Sequence, residues 1–235
     1  MIINSEFKNI VLLHGALGTK NDLLPIKNLL QTKYNVFSFN FNGHGDRPLN
    51  TEKPFGIESF VDDLKLFLAE NNLKSTSIFG YSMGGYIALY YAFKHAEQVE
   101  KIFTLGTKFY WNEDFSKKQA AFLNAEKLIE KVPSFAEYLA SKHQHNNWKN
   151  VVHLTAQMML DLGKNPLLNN DTISKIDTPT LISLGDKDDM VTKEESEEVV
   201  SLLPKGNFNI LPETPHPIEK TNHSIIANAL IEWFK

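Results

Sequence analysis

Cysteine is absent from all 235 positions. That excludes disulfides, thiolate nucleophiles and cysteine-based metal sites outright. Arginine is nearly absent: Arg47 is the one arginine among 24 basic residues. Arginine grips phosphates and dicarboxylates through two parallel hydrogen bonds, so its scarcity argues against a polyanionic substrate. The net charge is −4 and the lysines form no basic stripe, which argues against a nucleic-acid partner. No uncharged apolar run approaches bilayer length, and the opening Met1–Lys8 lacks the basic flank and apolar core of a signal peptide. These absences lead us to expect a soluble, cytoplasmic protein without a membrane partner. The sequence does not indicate an oligomeric state.

The residues that are present suit one ordinary globular unit, with 42% apolar and 22% charged positions. A chain of this length buries roughly 70–75% of the surface its unfolded form exposes. Six short apolar runs, at Asn9–His14, Asn35–Asn40, Thr76–Tyr81, Lys101–Leu105, Pro179–Leu184 and Asn207–Leu211, each end in a Gly, Asn or Pro signal. Continuous runs such as Ile10-Val11-Leu12-Leu13 suit strands buried on both faces of a parallel sheet. Helical spacing appears between them at Ser59–Glu70 and Tyr86–Ala96, and again at Asn222–Phe234, where Ile225, Ile226, Ala229, Leu230 and Phe234 share a face. The alternation predicts an α/β fold, a doubly wound, mostly parallel sheet flanked by helices.

From about Thr107 to Lys175 the rhythm breaks, and a helical segment dotted with aromatics replaces it. A connection of that length inside a compact domain is commonly a functional lid. We therefore expect a core of residues 1–106 and 176–235 with a lid of residues 107–175 inserted in it. His143, His145 and His153 fall in this insertion without a carboxylate pattern beside them, so they read as polar lid residues and no metal site is expected.

Ser82 lies where the apolar run Ser77–Tyr81 meets Gly80-Tyr81-Ser82-Met83-Gly84, a Gly-x-Ser-x-Gly turn that leads into a helix. A serine hydroxyl becomes a useful nucleophile only when held exposed beside a base and backbone N–H donors. A sharp strand-to-helix turn holds it so, and small flanking residues let strand and helix approach. His216, between Pro215 and Pro217 after the last predicted strand, sits on a stiffened segment suited to a base. His223 reads as a polar residue at the start of the final helix. Asp186, Asp188 and Asp189, after the strand Thr180–Leu184, compete to orient the base. The amides of Ala16 and Met83 are placed to stabilise an oxyanion. His14, closing a buried strand before Gly15, reads as a prop for its loop. A phosphate loop is excluded, because Gly15–Lys20 lacks the Gly-Lys-Ser/Thr ending.

Taken together, His14-Gly15-Ala16, Asn42-Gly43-His44-Gly45, Gly80–Gly85, Gly185-x-x-Asp188-x-x-Val191 and His216 resemble the α/β-hydrolase superfamily in its small, lid-bearing esterase and lipase-like branch. The resemblance spans most of the chain. It implies Ser82 as nucleophile, His216 as general base and acid, and Asp188, selected by the Gly-x-x-Asp-x-x-Val spacing, as orienter. It also implies an oxyanion hole from the amides of Ala16 and Met83. Pro215 stands where the family often has glycine. Only about eight residues precede the first strand, which implies a shortened N-terminal sheet edge. Leu17, Tyr81, Phe109, Trp111 and Met158 are candidates for the substrate pocket. The expected activity is hydrolysis of a carboxylic ester or thioester of a small, largely apolar molecule, without a cofactor. The alternatives are a non-hydrolytic lyase or acyltransferase, or a binding protein with an idle triad.

Overall fold

The computed structural model describes residues 4–235. Six strands, β1 (Asn9–Leu13), β2 (Asn35–Ser38), β3 (Thr76–Tyr81), β4 (Val99–Leu105), β5 (Thr180–Lys187) and β6 (Gly206–Pro215), form one sheet in the order β2-β1-β3-β4-β5-β6. Every pairing among the described residues is parallel. Among the described residues, ten α-helices connect or flank the strands. On the core these are α1 (Leu24–Leu30), α2 (Ile57–Glu70), α3 (Met83–Lys94), α9 (Lys193–Leu202) and α10 (His223–Phe234). The stretch between β4 and β5 holds α4 (Glu113–Phe122), α5 (Ala125–Lys131), α6 (Pro133–Lys142), α7 (Trp148–Lys164) and α8 (Asn170–Ile173).

The alternation of side chains along each strand feeds two cores. Val11 and Leu13 of β1 join Phe60 and Leu64 of α2, Ile87 of α3 and Val199 of α9 on one face. Ile10 and Leu12 join Ile26 and Leu30 of α1 with Ile226, Leu230 and Phe234 of α10 on the other. Strands such as β1 therefore read as unbroken apolar runs because both faces are covered, whereas the edge strand β6, with Ile210 exposed, alternates polar and apolar residues. In α10 the buried stripe is Ile226, Ala227, Leu230 and Phe234, while Ile225 and Ala229 pack at its margin. Helix α9, Lys-Glu-Glu-Ser-Glu-Glu-Val-Val-Ser-Leu, buries only Glu195, Ser196 and Val199. Its charge-rich composition hides that narrow face.

The strand order places the functional loops. The chain leaves β1 toward β2 on one side and then crosses to β3 on the other, so β1 and β3 pair directly, Leu13 beside Gly80. At such a switch point the loops following the two strands part and leave a crevice at their carboxyl ends. The segments His14–Gly18 and Ser82 onward both start there.

The site at the carboxyl ends of the strands

Ser82 stands between β3 and α3 with φ 52° and ψ −117°, a left-handed φ that a non-glycine residue adopts at a cost of about 1–3 kcal/mol. The surroundings enforce it. The Ser82 amide donates to the Leu105 carbonyl at the end of β4 (2.8 Å), and its carbonyl accepts from the Gly85 amide (2.9 Å) and the Thr107 hydroxyl (3.0 Å). A Cβ on Gly80 would strike the backbone of Gly84, and one on Gly84 would strike the Leu13 carbonyl. Glycine is therefore required where strand, turn and helix cross.

His216 follows immediately on β6, which runs through Pro215. Pro215 thus closes a strand, where the sequence suggested a loop. Glu213, at φ 52°, marks an irregularity in the β5–β6 register just before it. The His216 Nδ1 lies 2.8 Å from Asp188 Oδ2. Asp188 Oδ1 accepts the amides of Met190 (2.9 Å) and Val191 (3.0 Å). Burial pushes the Asp188 carboxyl up, but the His216 contact and the two amides outweigh it and hold the group below its ordinary value. Asp186 turns away, accepting the Thr214 amide at 3.1 Å, and Asp189 is exposed. Gly106, φ 59°, lies against the pair: a Cβ there would sit 2.9 Å from Asp188 Oδ2 and 3.2 Å from His216 Nδ1. The Tyr81 hydroxyl donates to the His216 carbonyl at 2.9 Å, so the residue before Ser82 braces the segment carrying the imidazole.

The loop after β1 passes beside the serine: a Cβ on Gly15 would lie 3.2 Å from Ser82 Cβ. His14 is fully buried and pins this loop. Its Nδ1 donates to the Gly15 carbonyl (2.9 Å) and its Nε2 accepts the Phe41 amide (3.3 Å), which assigns a neutral tautomer. Burial lowers its pKa to about 4. Leu17 has φ 56° and inserts its side chain beside Leu128, Leu139 and Val152 of the inserted helices. Its carbonyl lies 3.1 Å from His143 Nε2, while His143 Nδ1 accepts the Gly45 amide at 2.9 Å. His143 is therefore a buried pin between two core loops, a part that its reading as one of three polar lid residues did not give it. His145 and His153 are exposed. Arg47 is structural as well: its guanidinium meets the buried Asp63 carboxylate (2.6 Å) and the Asn40 carbonyl (3.1 Å).

Two cavities open on the serine. A narrow chamber of about 60 Å³ is lined by Ser82, Met83, Trp111, Met158 and His216, among others. A wider groove of about 640 Å³ is lined by Leu17, Tyr81, Ser82 and His216. Ala16 lines both. Of the ten residues expected to form the triad, the oxyanion hole and the substrate pocket, nine lie at these cavities or, as Asp188 does, against His216. Phe109 does not: it is fully buried in the core and lines neither cavity. Glu195 explains why. Its Oε1 accepts the amides of Phe109 (2.7 Å) and Tyr110 (3.0 Å), and its Oε2 pairs with Lys108, which tucks this stretch against α9. Gln119, Met159 and Met190 line both cavities and were missed, since nothing in their local sequence distinguishes them from neighbours.

Residues 8–225 match the family described as alpha/beta hydrolase fold. The chain belongs to the alpha/beta hydrolase fold family. Its relatives there include the proline iminopeptidase PfmaB of Pestalotiopsis fici, 24% identical, with 94% of this chain and 89% of that protein covered. Lipase 3 of Moraxella sp. (strain TA144) is 22% identical over 88% of this chain and 71% of its own length. In fold, this alpha/beta hydrolase chain superposes on a thermophilic esterase from Thermogutta terrifontis with a TM-score of 0.78 at 20% identity, covering 97% of this chain and 89% of that one. The relatives named are hydrolases, and they span peptidase, lipase and esterase. Among the described residues, no helix is long and apolar enough to cross a membrane.

Proposed function

We propose that this chain is a serine hydrolase of carboxylic esters, with Ser82 as nucleophile, His216 as general base and acid, and Asp188 as the carboxylate that orients the imidazole. The observation that carries the reading is the 2.8 Å contact of His216 Nδ1 with Asp188, on an imidazole lining the same cavities as a serine held at a strained φ. With Nδ1–H donated to Asp188, Nε2 is the nitrogen left to take a proton.

In the first half-reaction Ser82 Oγ bonds to the acyl carbon, its proton passes to His216, and the bond to the alcohol oxygen breaks as that oxygen takes the proton. In the second, water adds to the acyl carbon, His216 receives its proton, and the Ser82–acyl bond breaks with Oγ reprotonated. The amides of Ala16 and Met83 act as donors to the oxyanion formed in each half. Met83 is the first residue of α3, so its N–H has no partner earlier in that helix and lies at the positive end of the helix dipole. Helices α4 to α7 serve as a lid, contributing Phe115, Gln119, Met158 and Met159 to the chamber wall.

Purified protein should hydrolyse p-nitrophenyl acetate, and Ser82→Ala should lower kcat by about 10⁴–10⁶ with an unchanged circular dichroism spectrum. Comparable rates in the two proteins would assign the hydrolysis elsewhere. A wild type inert toward esters but reactive with acyl acceptors other than water would favour the acyltransferase reading.

A further inference from the structure

The two cavities divide the substrate between them. We propose that the narrow chamber takes the acyl part and the wider groove takes the alcohol, so that the substrate is an acetyl-to-butanoyl ester of a bulky, apolar alcohol carrying no negative charge. This rests on the serine-hydrolase reading above and adds to it which half of the ester each cavity accepts.

The two half-reactions make unequal demands on space. The acyl group stays bonded to Ser82 Oγ while the alcohol departs and water arrives. A narrow chamber can hold what stays, but a bulky group that leaves needs a wide path to solvent. The groove supplies that path, and Pro217 and Ile218, which follow His216 in the chain, line the groove and not the chamber. The imidazole must hand its proton to the departing oxygen, so the side bounded by its own segment is the alcohol side.

Size sets the acyl part. At about 60 Å³ the chamber has about a tenth of the groove's 640 Å³, which suits a short acyl chain. An acetyl or butanoyl group fits, whereas an octanoyl group does not. Two of the walls are fixed by hydrogen bonds. The Tyr86 hydroxyl accepts the Leu168 amide at 2.8 Å, and the Trp111 indole N–H donates to the Lys108 carbonyl at 3.2 Å. The methionines of the chamber can shift, but these walls hold it short.

Shape and charge set the alcohol. Leu17, Tyr81, Phe135 and Tyr138 give the groove broad apolar and aromatic walls. Asp22, Asp189 and Glu219 line it as well, and Lys142 pairs with Asp22 at 2.8 Å. Among the described residues Asp189 and Glu219 have no ion-pair partner, so the groove repels phosphate- or sulfonate-bearing leaving groups.

Two ester series measured on the full-length protein test this. With 2-naphthol as the constant alcohol, kcat/KM should peak at acetyl or butanoyl and fall about 100-fold by octanoyl. With acetyl constant, 2-naphthyl acetate should exceed phenyl acetate. 4-Sulfophenyl acetate should lag about tenfold at low salt although its phenol leaves at least as readily, and should recover as salt screens the groove. Leu162 also lines the chamber, and Leu162→Ala should move the acyl peak toward hexanoyl. Phe135→Ala, at a side chain already 36% exposed, should raise KM for 2-naphthyl acetate while leaving the acyl preference in place. Ser82-dependent hydrolysis peaking at octanoyl, or a preference for the sulfonate ester, would overturn the assignment of the cavities and leave the serine-hydrolase reading standing. Failure to hydrolyse any ester, with no fluorophosphonate adduct on Ser82, would overturn both.

Discussion

Acidification should destabilise this protein well above the carboxylate range, and His14 sets the scale. The ring is fully buried, donates to Gly15 and accepts from Phe41, and burial lowers its pKa from 6.5 to about 4. Above pH 6.5 it is neutral in both folded and unfolded chains and contributes no pH dependence. Between 6.5 and about 4 the unfolded chain binds a proton that the folded chain refuses, so stability falls with pH by about 1.4 kcal/mol per unit. The loss reaches about 2 kcal/mol at pH 5 and about 3 kcal/mol at pH 4 from this ring alone. His44 and His143, buried with ring centroids 5.8 Å apart, are also held below their ordinary value by burial and act in the same direction. Asp63, whose carboxyl is raised by burial, opposes them only nearer its own range. Against a typical total of about 5–15 kcal/mol, the histidine effect is large. Urea unfolding at pH 8, 7, 6 and 5 should show a midpoint falling steadily below pH 6.5, and the non-titrating His14→Gln should flatten that slope. Stability that stays unchanged from pH 8 to 5 would show that His14 takes up its proton as readily folded as unfolded.

Three further outcomes follow from the geometry. Asp188→Asn should lower kcat by about 10³–10⁴, since an amide cannot hold the His216 tautomer, whereas Asp186→Asn and Asp189→Asn should keep near-normal rates; a larger loss at either neighbour would move the orienting role to it. Gly106→Ala should reduce kcat by at least about 10²-fold with a modest change in melting temperature, because the added Cβ presses on both Asp188 and His216; unaltered turnover would show that the pair tolerates displacement. Arg47→Ala should cost about 2–3 kcal/mol in urea unfolding by stranding the buried Asp63 carboxylate, a loss tempered by the partial exposure of the guanidinium, and a variant as stable as wild type would show that Asp63 finds another partner.

How much of this was legible in the sequence depended on the range of the interactions. All six strands were: those covered on both faces must be apolar, as in Ile10–Leu13 and Ile78–Phe79, and the edge strand β6 showed in the short run Phe208–Leu211 ending at Pro212. Ser82 and His216 were legible because local chain geometry, a glycine-flanked turn and a proline-flanked strand end, advertises them. Asp188 needed the family's spacing, since three aspartates in one loop offer the same chemistry and only the fold decides which one faces the imidazole. Helix α9 was not legible, because a single buried valine among glutamates makes no periodic stripe. Phe109 was misplaced for a related reason: an aromatic residue in an insertion is apolar whichever way it faces, and the group that turns it inward, Glu195, lies 86 residues away. His143 meets Gly45 across 98 residues, so its role could not be read from the polar segment around it.

In the function proposed above, a strained serine, an imidazole and a buried carboxylate act as one nucleophilic unit. Intact-protein mass spectrometry after brief exposure to a fluorophosphonate tests it most directly. A single adduct that maps to the peptide containing Ser82, forms at least about 10²-fold more slowly in His216→Ala and is absent from Ser82→Ala is the predicted result. An unmodified wild-type mass, or an adduct that persists in Ser82→Ala, would contradict it.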